Sequence, residues 1–325
     1  MKAIVKTSDG GPEVLKLSEV ETPKPKSNQL LVNVKSTALN RADTLQRKGL
    51  YPPPMGESEI LGLELSGIVE EKGAAVKGFE LGDRVFGLVS GGAYAEYAII
   101  DYRMAMHIPE DWSFEKAAAV PEVFFTANET LFKLGSLSCD ESVLIHAGGS
   151  GVGTAGIQMA NNAGAKVFIT TGSNQKIEKA KMLGCTEGIN YKTHDFAESI
   201  KNLTEGKGVD VVQDFIGQPY FEKNCSILKP NGRLLIVGLM GGTEAEIDLG
   251  LILRKRLQIF GSIMRPLPLK EKISITQRFV DRWLPLLKTG VINPVIDTIM
   301  PLEKADEAHR YMESNGNFGK IILRI

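Results

Sequence analysis

The chain has 325 residues, 43% of them hydrophobic and 24% charged, with 38 Lys and Arg against 39 Asp and Glu. That balance excludes low-complexity disorder, and a net charge of -1 supplies no long-range field for nucleic acid or anionic lipid. A length about twice the usual ~150 residues per domain predicts two domains.

The first residues, Met1 to Val5, run straight into strand-like sequence with no apolar signal core. No apolar run approaches the ~18 to 20 residues that cross a bilayer. Cys139, Cys185 and Cys225 lack CxxC spacing, so neither a disulfide framework nor a zinc knuckle is encoded. A cytoplasmic location is expected.

Up to about residue 120, short β-like segments (30–34, 67–70, 84–88 and 94–100) are separated by Pro, Gly and charged turns. They predict a small, mostly antiparallel β domain. From residue 121, short apolar runs alternate with helical stretches, the pattern of a parallel sheet with crossover helices. Strand candidates at 142–146, 166–170, 188–190, 209–214, 233–237 and 257–261 predict an α/β unit with a doubly wound sheet. An amphipathic helix over 270–288 and a strand-like end at 319–323 are expected to return to the first domain. The expected division is therefore 1–120 with 263–325 as one domain, and 121–262 inserted within it.

The first α/β strand is followed by Ala147-Gly148-Gly149-Ser150-Gly151-Val152-Gly153 and then a helix-like stretch. Strand, glycine turn and helix in that order match a dinucleotide-binding fingerprint, with Gly148, Ser150 and Gly153 at its three positions. Backbone N–H groups of Gly151 and Val152, at the positive end of the helix, would face a pyrophosphate. A second reading makes these glycines only a tight packing turn. About twenty residues on, where an NAD site carries an acid, the chain reads Thr171-Gly172-Ser173-Asn174-Gln175-Lys176. With no carboxylate there, and Ser173 and Lys176 able to donate, the chemistry favours the 2'-phosphate of NADPH. Tyr191 would close the pocket, while Lys176 also reads as a solvated helix residue. No tyrosine has Lys four residues on, and HExxH, GxxxxGK[ST] and GxSxG are absent. Hydride transfer is the class left.

Ala38-Leu39-Asn40-Arg41-Ala42-Asp43, Gly62-Leu63-Glu64-Leu65-Ser66-Gly67, the turn 147–153 and Gly238-Leu239-Met240-Gly241-Gly242 together resemble the zinc-free quinone oxidoreductases of the medium-chain dehydrogenase/reductase superfamily, the zeta-crystallin group, nearest its tumour-suppressor-inducible branch. The resemblance spans essentially the whole chain. It implies a Rossmann-type doubly wound sheet inserted in a GroES-like β domain, NADPH as cofactor and a quinone as substrate in an interdomain cleft. Zinc-dependent relatives carry Cys and His where this chain has Asn40 and Leu63, so no metal is expected.

By the same resemblance, Asn40, Tyr51 and Thr126 lie near the nicotinamide, Asn40 and Tyr51 as catalytic candidates, with Met240, Gly241 and Gly242 supporting it. Gly172, Ser173, Lys176 and Tyr191 match the adenosine phosphate pocket, and Asn317 and Lys320 border the cofactor. Bland readings stand beside these: Asn40 as a turn former, Thr126 as a helix cap, Tyr51 as a packed loop aromatic and His146 as a satisfied core residue. The rival activities are reduction of α,β-unsaturated carbonyls and a non-enzymatic NADPH-binding role, structural or RNA-binding. Near the entrance loop only Arg47 and Lys48 are basic, which favours a small neutral acceptor. The apolar edge 257–263 would be unpaired on a monomer, and in this family such edges join, so a homodimer is expected.

Overall fold

The computed structural model describes every residue, Met1–Ile325. The chain forms two compact units, Met1–Phe125 with Arg265–Ile325, and Thr126–Met264.

Six parallel strands build the second unit, in spatial order Glu187–Asn190, Lys166–Thr171, Ser142–Ile145, Val209–Asp214, Leu228–Ile236 and Gln258–Gly261. In chain order this is 3-2-1-4-5-6, the doubly wound arrangement. The central strands are apolar on both faces, with Val143, Leu144, Ile145, Val211 and Val212 fully buried. Such continuous runs are what a sheet covered on both sides requires. Strand order reverses beside Ser142–Ile145, so the carboxyl end of that strand opens the crevice where such sheets bind ligands.

In the first unit, Gln29–Ala38 is the central strand. It pairs antiparallel with Glu64–Lys72, Tyr97–Asp101 and the tail strand Lys320–Arg324. Arg84–Leu88 and Ala105–His107 extend the sheet on one side and Ile296–Pro301 on the other. That last strand runs parallel to Lys320–Arg324, the one parallel pair in an otherwise antiparallel sheet.

Two details differ from the sequence expectation. The 270–288 stretch is two helices, Leu269–Arg282 and Leu284–Lys288. Pro285 lacks the N–H that a continuous helix would use and sits in the first turn of the second helix, where no such bond is needed. The chain passes between units at Phe125 and Thr126, later than residue 120. No loop marks the spot, because the helix Pro121–Ala127 continues as a wider-wound helix over Asn128–Leu134.

Candidate functional site

At the switch point, Ser150 caps the helix Gly151–Asn162 by accepting a bond from the Gly153 N–H at 3.0 Å. The fingerprint position that is usually glycine therefore serves here as an N-cap. The Gly151 and Val152 N–H groups, both partly exposed, have no intrahelical acceptor at that terminus. A Cβ on Gly153 would come within 2.5 Å of the Ala147 carbonyl oxygen and 2.8 Å of the Gly148 Cα. Only glycine lets the helix sit this close to its own turn, and the outward N–H groups are what a diphosphate needs.

Next to the turn, Ser173 caps the helix Asn174–Lys181 by accepting from the Lys176 N–H at 3.3 Å. A Cβ on Gly172 would reach the Tyr191 hydroxyl at 2.8 Å. Gly172, Ser173, Lys176 and Tyr191 therefore form one surface group, with Tyr191 exposed. On the far side of the switch point, loop 238–242 joins the loop after Asp214: the Met240 N–H donates to Phe215 O and the Gly241 N–H to Ile216 O at 2.7 Å.

Beneath these loops lies a buried polar chain. His146 Nε2 donates to Asn224 Oδ1 at 2.8 Å, which leaves Nδ1 to accept from the Thr170 hydroxyl at 2.9 Å. Asn224 Nδ2 then donates to Asp214, whose other oxygen accepts from the Ile216 N–H. Burial lowers His146 to about 4 and raises Asp214 to about 6. His146 is thus a neutral, fully bonded core residue that ties the ends of two strands to the loop.

The first unit holds a buried cluster of charges. Asn40 opens the helix Arg41–Arg47, its N–H donating to Asp43 Oδ2 at 2.8 Å. Its side-chain amide donates to Glu64 Oε1 and accepts from Lys320 Nζ, both at 2.7 Å. Lys320 also pairs with Glu64 at 2.7 Å, and the second Glu64 oxygen accepts from the Glu122 N–H at 2.9 Å. Burial, reinforced by the Glu64 carboxylate, pushes the Glu122 carboxyl up to about 8. Burial raises Asp43 to about 6 against the bonds from Asn40 and Gly62.

Tyr51 is partly buried, with the Arg265 guanidinium carbon 5.4 Å from its ring centroid. Burial and then Glu122 raise its phenol above the ordinary value, so it stays a donor at neutral pH. Asn317, in the tail of this unit, turns its amide onto Gly319 O at 2.7 Å. Thr126 is buried within Pro121–Ala127, in the body of the helix and not at a cap.

The sequence candidates thus fall into two groups. Asn40, Tyr51 and Asn317 belong to the first unit, and the glycine turn, the 172–191 pocket, Thr126 and loop 240–242 to the second. Asn40 is committed to Glu64 and Lys320, which leaves Tyr51 the more available of the two catalytic candidates. Arg47 is not an entrance charge: it is fully buried, bonded to Gly10 O, His309 and Glu313. The cations beside Tyr51 are Arg265 and, through Ser90, Lys272. Sequence reading missed both, since more than two hundred residues separate them from Tyr51. Its argument for a neutral acceptor therefore falls.

Residues 26–110 match the alcohol dehydrogenase GroES-like domain family and residues 151–280 the zinc-binding dehydrogenase family. A quinone oxidoreductase of Rattus norvegicus is 34% identical over 331 residues, 99% of this chain and 97% of the rat protein. Among solved structures, the quinone oxidoreductase of Escherichia coli complexed with NADPH superposes with a TM-score of 0.90 at 32% identity, covering 100% of both chains. An NAD-dependent alcohol dehydrogenase superposes at 0.89 with 33% identity, again over 100% of both chains.

Proposed function

We propose that this chain, which belongs to the zeta-crystallin-like quinone oxidoreductase family of the medium-chain dehydrogenases/reductases, is an NADPH-dependent oxidoreductase that reduces quinones by direct hydride transfer. The observation that carries the reading is the second unit's paired site: a helix N-terminus with free N–H groups beside a carboxylate-free pocket of Gly172, Ser173, Lys176 and Tyr191. An anionic 2'-phosphate suits such a pocket, whereas an NAD site would carry an acid there.

NADPH supplies the hydride when bound. Gly151, Val152 and Gly153 would hold its diphosphate, the 172–191 group its adenosine phosphate, and Met240, Gly241 and Gly242 its nicotinamide end, with Thr126 and Asn317 as further contacts. Tyr51 orients the acceptor by donating from its hydroxyl, and Asn40 keeps the Glu64–Lys320 pair in place. A quinone needs little help from a Lewis acid, because the product anion is delocalised over an aromatic ring. Asn40 and Leu63 stand where zinc relatives carry ligands, and neither side chain binds zinc as Cys and His do. No resident metal is part of this reading, and neither is nucleic acid or a membrane.

The decisive experiment is stopped-flow oxidation of NADPH, with NADH as control, against an ortho-quinone, a para-quinone and a 2-enal. Turnover with quinones that strongly prefers NADPH is the expected result. Reduction of the enal alone would replace the quinone by a conjugated carbonyl, and equal use of NADH would remove the phosphate pocket. The Tyr51→Phe variant, which loses one hydrogen-bond donor to the acceptor oxygen, is expected to lose about 10²-fold or more in quinone turnover.

A further inference from the structure

We propose that Arg265, through its outer guanidinium nitrogen Nη2, binds the acceptor oxygen on which negative charge develops during hydride addition; this deepens, and rests on, the quinone reductase reading. Arg265 is only 7% exposed. Its Nε donates to Ser90 O at 2.8 Å and its Nη1 to Tyr51 O at 3.4 Å, with the guanidinium carbon over the Tyr51 ring at 5.4 Å from its centroid. Nη2 is buried and has no hydrogen-bond partner. An unpaired charged donor inside a protein is costly and rare, and a site that receives a charged or charge-developing ligand atom accounts for one.

The surroundings fit that use. Lys272, also 7% exposed, donates to Ser90 Oγ at 2.7 Å, so two buried cations flank Ser90 through bonds that involve no carboxylate. Gly91 lies alongside: a Cβ there would be 3.5 Å from Nη2, so the Gly91 backbone borders the unpaired nitrogen without offering it a hydrogen bond. Asp43, Glu57, Glu122 and the Tyr51 hydroxyl act on the guanidinium from further away. Of these, Glu122 holds its proton at neutral pH and so does not quench the positive field.

Hydride delivery carries two electrons and one hydrogen to the quinone, oxidising NADPH to NADP⁺ and leaving a hydroquinone monoanion. Nη2 donates to the anionic oxygen, with the Tyr51 ring against the guanidinium. A proton from water then completes the hydroquinone. A preorganised charged donor at such an oxygen contributes most in the transition state, where the charge appears.

The test uses full-length wild type, Arg265→Gln and Arg265→Lys, each checked for fold by circular dichroism and for NADPH affinity by fluorescence. Quinone kcat is expected to fall about 10²- to 10³-fold in Arg265→Gln, with partial recovery in Arg265→Lys. NADPH affinity should stay within about twofold. The second readout is 4-nitrophenol added to the NADP⁺ complex at about pH 6, below the pKa of the free phenol. Wild type should bind the yellow ionised form, and Arg265→Gln should bind it at least about tenfold more weakly. Wild-type binding of only the neutral phenol, or Arg265→Gln turnover within about threefold of wild type, would overturn the assignment. The wild-type arm of the phenolate readout needs neither a folded variant nor catalysis. A wild type that binds phenolate but reduces no quinone would therefore sink the quinone reading and leave the anion site standing.

Discussion

At the scale of single residues, Glu122 makes the protein's stability respond to pH in a direction opposite to ordinary carboxylates. Its folded pKa of about 8 lies above its ordinary 4.5, so between these values the folded state binds the proton that the unfolded chain has lost. Stability from this group is therefore complete at low pH and falls as pH rises toward 8, with a slope of at most about 1.4 kcal/mol per pH unit. His146 and His309, lowered to about 4 and about 3, tilt stability the other way but only up to the ordinary imidazole value of 6.5. Cys185 and Cys225, raised to about 12 and about 11, matter only above the ordinary thiol value of 9. Between about pH 7 and 8.5 Glu122 should dominate. The urea midpoint of wild type is expected to fall across that window, and that of Glu122→Gln to stay nearly flat. Parallel curves would show that Glu122 carries no retained proton. The motifs Gly62 to Gly67 and Asn317 to Lys320 were visible in sequence, but their meeting was not. Glu64 and Lys320 are 256 residues apart and meet because the tail strand pairs with Gln29–Ala38.

At the scale of elements, the turn 147–153 was legible because three signals coincide there: an apolar strand, clustered glycines and a helix start. What sequence left open was the use of Ser150, which stands at a fingerprint position usually held by glycine. Its oxygen is the helix cap. Replacement by Ala should then cost about 1 kcal/mol and lower the melting temperature, whereas replacement by Gly should cost only a few tenths. Both should leave the Gly151 and Val152 N–H groups in place, so NADPH affinity is expected to change less than stability does. A Ser150→Ala loss of binding larger than its loss of stability would show instead that the hydroxyl itself contacts the cofactor. The inner parallel strands were likewise legible, since a strand buried on both faces is a continuous apolar run, while the more exposed edge strands Glu187–Asn190 and Gln258–Gly261 were placed by their spacing in the βα series. The break at Trp283 was less so: the apolar spacing of the 270–288 stretch carries on through Pro285, and periodicity alone does not register a missing N–H.

For the whole molecule, net charge is near zero, so association must come from shape and apolar surface. The sheet ends at Gln258–Gly261, whose outer edge has no partner strand within the chain. Ile259 is 38% exposed and Ile263 is 53% exposed, and on the preceding helix Leu249–Lys255, Leu249 and Leu253 are 72% and 78% exposed. Open apolar edges of this kind are ordinarily covered or paired. We propose that a second copy pairs along this edge, since two identical edges related by a two-fold axis satisfy each other's backbone groups. Light scattering at micromolar concentration should then return about twice the chain mass of 35.4 kDa. Lysines at 259 and 263 would put like charges against each other across the axis, and the double variant Ile259→Lys, Ile263→Lys should run as a monomer. Because the 147–153 turn and the 172–191 pocket lie in other segments of the unit, that monomer should still be stabilised against heat by NADPH. A wild type that stays monomeric over the whole concentration range would leave this edge without its expected partner and end the dimer proposal.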